Sequence, residues 1–332
     1  MFRPTPLPLF LLFPLLLLPS SAARAQEGPQ VDFPSSQARA QEGPHVDLPP
    51  SPARAQEGLK VYISADMEGV AGIVTGDQLG PAGFEYQKAR EWLTGEVNAA
   101  IRAAREAGAT EIVVSDSHGN AANILLDLLP RDVKLVRSSP RPLMMMQGID
   151  ETFDAVLFIG YHAGTTNPRG VRAHTFSSGS FTAVRLNGVA VPEAVVNAAI
   201  AGHFDVPVVM ISGDHAGVEE ATRHLGDLEG AVLKWDYGFH SALTVMPEEG
   251  QEIIARAVRA ALARLHEFQP YRMEKPVRLE VRLKNYMAAE LLAYLPVVER
   301  VDSHTIAFVG QDILEVSRFL AFMTRYRPDI TP

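Results

Sequence analysis

Three runs of branched and apolar residues each end on side chains able to hold a metal. Val61-Tyr62-Ile63-Ser64-Ala65 leads into Asp66-Met67-Glu68-Gly69, and Ile112-Val113-Val114-Ser115 leads into Asp116-Ser117-His118-Gly119. Val156-Leu157-Phe158-Ile159-Gly160 leads into Tyr161-His162-Ala163-Gly164. Asp66 and Glu68 lie two residues apart, so in extended backbone both point to one side and can reach one metal centre. The small residues that follow let the backbone turn away and leave the side chain facing a cleft. His174 follows His162 across the Gly/Pro/Arg-rich segment 164–172 and could fold back over the same cleft, and Glu193 opens the segment after Asn187-Gly188. The chain has no cysteine, which excludes thiolate zinc sites, iron–sulfur clusters, disulfides and a thiol nucleophile. A His/carboxylate set suits zinc, with manganese or cobalt as substitutes, and such ions support hydrolysis.

Taken singly, each residue has a plainer use. An Asp after a strand often caps a turn or helix. A histidine in an apolar segment is often a hydrogen-bonded core residue, and Glu193 would stabilise a helix N-terminus. The case for a site rests on three strand ends meeting at one sheet edge, where open α/β sheets bind ligands. His203, His215, His224, His240, His266 and His304 lack comparable surroundings, although His215 also ends a strand.

The elements that must position these residues follow from periodicity. Apolar runs predict strands over 60–65, 111–115, 133–136, 154–160, 206–212, 277–283 and 305–309. Asn187-Gly188 predicts a hairpin between 182–186 and 189–191. Helical spacing marks 84–107, with Gly108 as its stop, and 193–202 after Pro192. Further helices are expected over 217–225, 247–265, 286–295 and 313–326. Strand–helix alternation with nearly continuous apolar strands predicts an α/β fold whose largely parallel sheet is covered on both faces by helices. The folded part divides in expectation into a metal-binding α/β domain over 59–246 and a smaller C-terminal α/β domain over 247–332.

Of 332 residues, 47% are hydrophobic, enough for one large or two ordinary domains. The 39 acidic residues outnumber the 30 basic ones, giving a formal net charge of −9, which argues against nucleic acid as a partner. Arg3, an apolar stretch from Leu7 to Leu18 and an Ala-x-Ala exit at Ala25 are the parts of a secretory signal over 1–25. The stretch is short and carries Pro8 and Pro14, so it makes no stable membrane anchor. The motif Ala23-Arg24-Ala25-Gln26-Glu27-Gly28 returns at Ala38 and again at Ala53, a period of 15 residues. Rich in Pro, Ser, Gln and Gly, segment 26–58 cannot bury enough apolar surface to offset its ordering entropy and reads as a disordered tether. These features imply an exported protein, periplasmic or extracellular.

Together, Asp66-Met67-Glu68-Gly69, Asp116-Ser117-His118, Gly160-Tyr161-His162-Ala163, His174 and the segment from Glu193 to Asn197-Ala198 resemble the zinc-dependent D-aminopeptidases of bacterial dipeptide-transport operons. The likeness runs in register from about Leu59 to about Arg325. It implies that Asp66, Glu68, His118, His162 and Glu193 hold two zinc ions per subunit, with Glu68 or Asp66 as the bridge, and that His174 is the catalytic histidine. It also implies removal of N-terminal D-residues from short peptides and a ring-stacked homo-oligomer such as a decamer. Two departures bear on the pocket: the 163–173 loop is one residue longer, and His215 stands where the family has an acidic residue. A dimetal phosphoesterase, with Arg169 or Arg172 as phosphate clamp, or an exported protein that merely binds metal or peptide would draw on the same donors. The leader carries its own expected outcome. Exported material should begin at Gln26, Gln41 or Gln56, each after an Ala-Arg-Ala triplet, and N-terminal sequencing that returns Met1 would contradict the signal assignment.

Overall fold

Nearly uninterrupted apolar runs form the central strands because both faces of the sheet they build are covered. The computed structural model describes residues 58–326; the leader at 1–25 and the tether up to residue 57 lie outside the described residues. The elements run β1 (Leu59–Ala65), α1 (Tyr86–Glu106), β2 (Ala109–Asp116), β3 (Lys134–Val136), β4 (Ala155–Tyr161), β5 (Phe181–Leu186), β6 (Val189–Ala190) and α2 (Glu193–His203). They continue with β7 (Val208–Asp214), α3 (His215–Leu225), β8 (Glu229–Gly238), β9 (Ser241–Thr244), α4 (Pro247–Ala263), β10 (Val277–Leu283), α5 (Tyr286–Leu292), β11 (Val298–Arg300), β12 (Thr305–Gly310) and α6 (Ile313–Arg325). Among the described residues no helix is long and apolar enough to cross a membrane.

The first sheet has the order β3-β2-β1-β4-β7-β8-β9 and is parallel except for the β8–β9 hairpin at its edge. The second, β11-β12-β10-β5-β6, is antiparallel throughout. In the first sheet β2 and β4 flank β1 on opposite sides, so the order reverses between β1 and β4. That reversal opens a crevice at the carboxyl ends of the strands.

Alternation along β1 sends its side chains to two cores. Val61 and Ile63 pack with Leu93, Val97 and Ile101 of α1 and with Ile254 and Val258 of α4. Tyr62 faces the other way, into a core shared by Phe158, by Val195 and Ile200 of α2, and by Leu279 and Val281 of the second sheet. Helix α2 therefore lies in a core fed by both sheets, and every residue from Glu193 to Gly202 is buried. Its nearly all-round apolar sequence belongs to a helix with no solvent face.

The largely parallel α/β architecture agrees with the expectation from sequence, and the β5–β6 hairpin turns on Asn187 and Gly188, both at positive φ (48° and 83°). The expected boundary near Pro247 does not coincide with the division between the sheets. Helix α4 packs on α1 over the first sheet, while β5 and β6, before that boundary, pair into the second, with Val184 opposite Val281. Periodicity reports which face of a strand is buried, not which strand lies beside it. Strands β8, β9 and β11 were absent from the predicted set. Glu229, Lys234 and Asp236 interrupt the apolar pattern of β8, and β11 has only three residues.

The turn after β1 is pressed against the end of β4. Gly69 N–H donates to the Gly160 carbonyl at 2.7 Å, and a Cβ on Gly69 would lie 1.9 Å from the Tyr161 carbonyl oxygen. Backbone cannot yield as a flexible side-chain tip can. Gly69→Ala should therefore cost at least the ~1–3 kcal/mol of overpacking, lowering Tm by roughly 2–4 °C per kcal/mol. It should also weaken metal retention, because Glu68 precedes the glycine; thermal melts and metal analysis check this, and an unchanged Tm would contradict it.

Candidate metal centre

The crevice gathers the predicted residues from three adjacent strand ends. Asp66 and Glu68 follow β1, His118 follows β2 and His162 follows β4. Glu193 reaches the same point as the first residue of α2, and His174 comes in on the loop between β4 and β5. All six lie within one cluster. His118 Nδ1 is 2.8 Å from Glu68 Oε2 and 3.4 Å from Asp66 Oδ1. His162 Nε2 is 3.2 Å from Asp66 Oδ2 and 3.6 Å from Glu193 Oε1. His174 Nε2 is 3.6 Å from Glu193 Oε1 and 3.9 Å from Glu68 Oε1, and its ring stacks on His162 with centroids 4.3 Å apart.

The two oxygens of Asp66 face different histidines, so the cluster has two halves joined at this carboxylate: His118 with Glu68, and His162 with Glu193. Several of the close approaches are not hydrogen bonds. Asp66 Oδ2, Glu68 Oε2 and His162 Nε2 are buried and have no hydrogen-bond partner, although each lies near a donor or acceptor of the cluster. Buried polar atoms left in this way are costly. They are aimed at shared points rather than at each other, as metal ligands are. The donor set of three carboxylates and three imidazoles fits zinc or a similar divalent ion.

Each imidazole is oriented by a backbone carbonyl. His118 Nε2–H donates to Leu79 O (2.8 Å), His162 Nδ1–H to Ala163 O (2.9 Å) and His174 Nδ1–H to Arg172 O (2.9 Å). A carbonyl only accepts, so these nitrogens carry the hydrogens and leave the lone pair of the opposite nitrogen for the cluster. Electrostatics follow the same division. Burial would raise the Glu68 carboxyl, but the imidazoles of His118, His174 and His162 hold it well below the usual carboxylate range. Burial disfavours charge on His118 and His162, yet the adjacent carboxylates raise the first well above the ordinary histidine value and the second to about 10. Burial lifts Glu193 to about 8, against the pull of His162. His174 is lowered to about 4, by burial and by charge on His162.

The residues behind the cluster were less legible. Asp116, part of the strand-end motif, does not join it: the buried carboxylate accepts from the backbone N–H groups of Asn123 (2.5 Å) and Ile124 (2.8 Å) and from the Asn123 side chain (2.8 Å). Asn123 in turn donates to His118 O at 2.7 Å, so this pair shapes the turn that carries His118. Lys234 is wholly buried, and its ammonium donates to the carbonyls of Glu68, Val70 and Ile73, tying down the turn that carries two predicted ligands. A lysine inside Ala231-Val232-Leu233-Lys234 was the only sequence signal for it. Asn197, one turn along α2 from Glu193, donates to the buried Tyr161 hydroxyl at 2.9 Å.

The 163–173 loop is fastened to α3. Gly164 N–H and Asn167 Nδ2 donate to Glu220 Oε2 (2.9 and 3.0 Å), and Arg169 pairs with Glu219 at 2.5 Å. Arg169 is thus a surface residue, whereas Arg172 lines the cleft. His215 faces Asp236 at 3.5 Å rather than the cluster. The cleft outside the cluster has a volume of about 770 Å³.

A crevice at a strand-order reversal, lined by buried carboxylates and imidazoles with lone pairs turned inward, defines a metallohydrolase-type centre. Comparison with known proteins gives the family. The profile of the D-aminopeptidase family matches residues 59–322, and the chain belongs to that family. A D-aminopeptidase of Bacillus subtilis (strain 168) is 30% identical over 271 residues, covering 80% of this chain and 97% of the relative. The solved structure of "Zn-dependent D-aminopeptidase DppA from Bacillus subtilis, a self-compartmentalizing protease" superposes with a TM-score of 0.78 at 28% identity, covering 82% of this chain and all of that one.

In the metal-free protein His118 and His162 keep their protons at neutral pH, and a metal must displace them. Affinity for zinc should therefore rise with pH between about pH 6 and about pH 9, with net proton release on binding. Calorimetry in buffers of different ionisation enthalpy reads that release, and pH-independent binding without it would contradict the arrangement.

Proposed function

We propose that this chain is an exported two-zinc D-aminopeptidase that removes N-terminal D-residues from short peptides such as D-Ala-D-Ala. The observation that carries the reading is the set of buried, unpartnered donor atoms in two halves that share Asp66. In this assignment Asp66, Glu68 and His118 would hold one ion and His162 and Glu193 the other, with Asp66, whose two oxygens face different histidines, available to both. Zinc, when bound, would acidify a water and polarise the scissile carbonyl, the usual contribution of a co-catalytic pair.

The chain's own groups supply the rest. Burial lowers His174, so its imidazole is neutral near pH 7, and its Nδ1–H is committed to Arg172 O. Its Nε2 lone pair therefore faces the cleft, placed to accept a proton during attack and to return it to the leaving amine. Its side chain, at 16% exposure, is more open than those of the five assigned ligands, as a group that meets substrate must be. Export rests on the leader, which lies outside the described residues. A homo-oligomer is supported by large apolar side chains on the surface, with Tyr237 75% and Tyr294 72% exposed, and by the self-compartmentalizing relative.

The protein, loaded with zinc, should hydrolyse D-Ala-D-Ala, should leave L-Ala-L-Ala and p-nitrophenyl phosphate largely untouched, and should lose activity to a chelator. His174→Ala should retain its zinc while turnover falls about 10²–10⁴-fold, the range for a general acid–base group. If zinc is lost along with activity, His174 is a ligand; if both survive, it is a loop histidine and the catalytic assignment fails.

A further inference from the structure

Charge is segregated within the cleft. Every carboxylate lining it belongs to the metal cluster, while the remaining wall carries Arg141 and Arg172, with Arg325 beside them. Arg141 and Arg172 are half-buried, and among the described residues neither pairs with a carboxylate. Arg141 donates Nη2 to Asp116 O at 2.8 Å and, weakly, Nη1 to Val136 O at 3.4 Å. Arg172 donates Nη1 to His240 Nδ1 at 3.0 Å and lies over the Phe239 ring, 5.0 Å from its centroid. A guanidinium has five N–H groups, so each keeps donors to spare, and these contacts hold both heads in place before any ligand arrives. Two pre-oriented, half-desolvated guanidinium groups without a counter-ion form an anion site.

We propose that Arg141 and Arg172 bind the free C-terminal carboxylate of the peptide, and so select short substrates that present both ends to one cleft. The inference rests on the aminopeptidase reading. An aminopeptidase places the amino end and the first peptide bond at the cluster, so the far end of a short peptide lies towards the arginine wall of the same cleft. Arg141 and Arg172 approach from different parts of the fold. Arg141 sits beside the turn that carries His118, and Arg172 is two residues before His174. A carboxylate held between them would be fixed relative to both halves of the centre. These are specificity residues, since they meet the end of the substrate remote from the reacting bond.

The test compares D-Ala-D-Ala with its C-terminal amide on the zinc-loaded full-length protein. The free acid should be favoured about 10–100-fold in kcat/KM, the worth of a hydrogen bond to a charged group, mainly through KM. Arg141→Gln and Arg172→Gln should each move that ratio towards one, with partial recovery in the lysine variants. Inhibition constants of uncleavable reduced-bond analogues, as acid and amide, should give the same ratio without turnover. Loss of structure around His118 or His174 would lower both substrates together and leave the ratio intact, so an unchanged ratio in both variants overturns the proposal. Equal use of acid and amide by the unaltered protein overturns it while leaving the aminopeptidase reading standing. Failure to cleave either peptide overturns both.

Discussion

Asp66, Glu68 and Glu193 are buried within a few ångströms of one another, and their negative charge must be balanced by nearby positive charge or, at Glu193, which burial lifts to about 8, by a proton. Without metal the positive charge comes from protons on His118 and His162, which the adjacent carboxylates raise against the effect of burial, while burial and the neighbouring His162 lower His174. One divalent ion would leave the three carboxylates under-compensated. Two would exceed them by a single charge, room for one anion. The two Asp66 oxygens turned towards different histidines, and the histidine nitrogens turned inward, fit the proposed pair of ions.

The surrounding fold keeps that charged cluster from relaxing. Parallel strands β2, β1 and β4 deliver their ends side by side, and the reversal between β1 and β4 opens the space the side chains enter. Lys234 fixes the turn after β1 from below, the Asp116–Asn123 pair fixes the turn after β2, and α3 fixes the loop that ends at His174. Helix α2 presents Glu193 from between the two sheets, where its first turn cannot swing out, and Phe176 N–H donates to Glu193 Oε1 at 2.6 Å. The turns, loop and helix that carry the cluster thus each have a support behind them, the condition for a pre-organised centre.

The clustered strand-end residues were legible because each stands at a change of pattern: an apolar strand stops and a polar, metal-competent side chain is followed by a small residue. Asp66, Glu68, His118 and His162 carry that signal, whereas His174 and Glu193 stand out only by their place after His162 and after Asn187-Gly188, and the resemblance gives them their roles. The supports were hidden for a physical reason. Lys234 belongs to an edge-proximal strand with mixed polarity, and a buried lysine whose partners are main-chain carbonyls some 160 residues earlier has no local signature. Asp116 carries the same strand-end pattern as the ligands, but its carboxylate is spent on the backbone of the turn at 123–124. The split into two sheets has no local signature for a related reason. The pairing of β5 with β10 joins residues about a hundred positions apart, and alternation alone cannot name the partner.

The central claim is that the Asp66-bridged cluster holds two zinc ions. Anomalous diffraction at the zinc edge, from crystals of the protein purified without added metal or chelator, tests it directly. The account predicts two peaks about 3.5–4 Å apart, one between His118 and Glu68 and the other between His162 and Glu193, with Asp66 between them. A single peak, or zinc located away from these side chains, would contradict it.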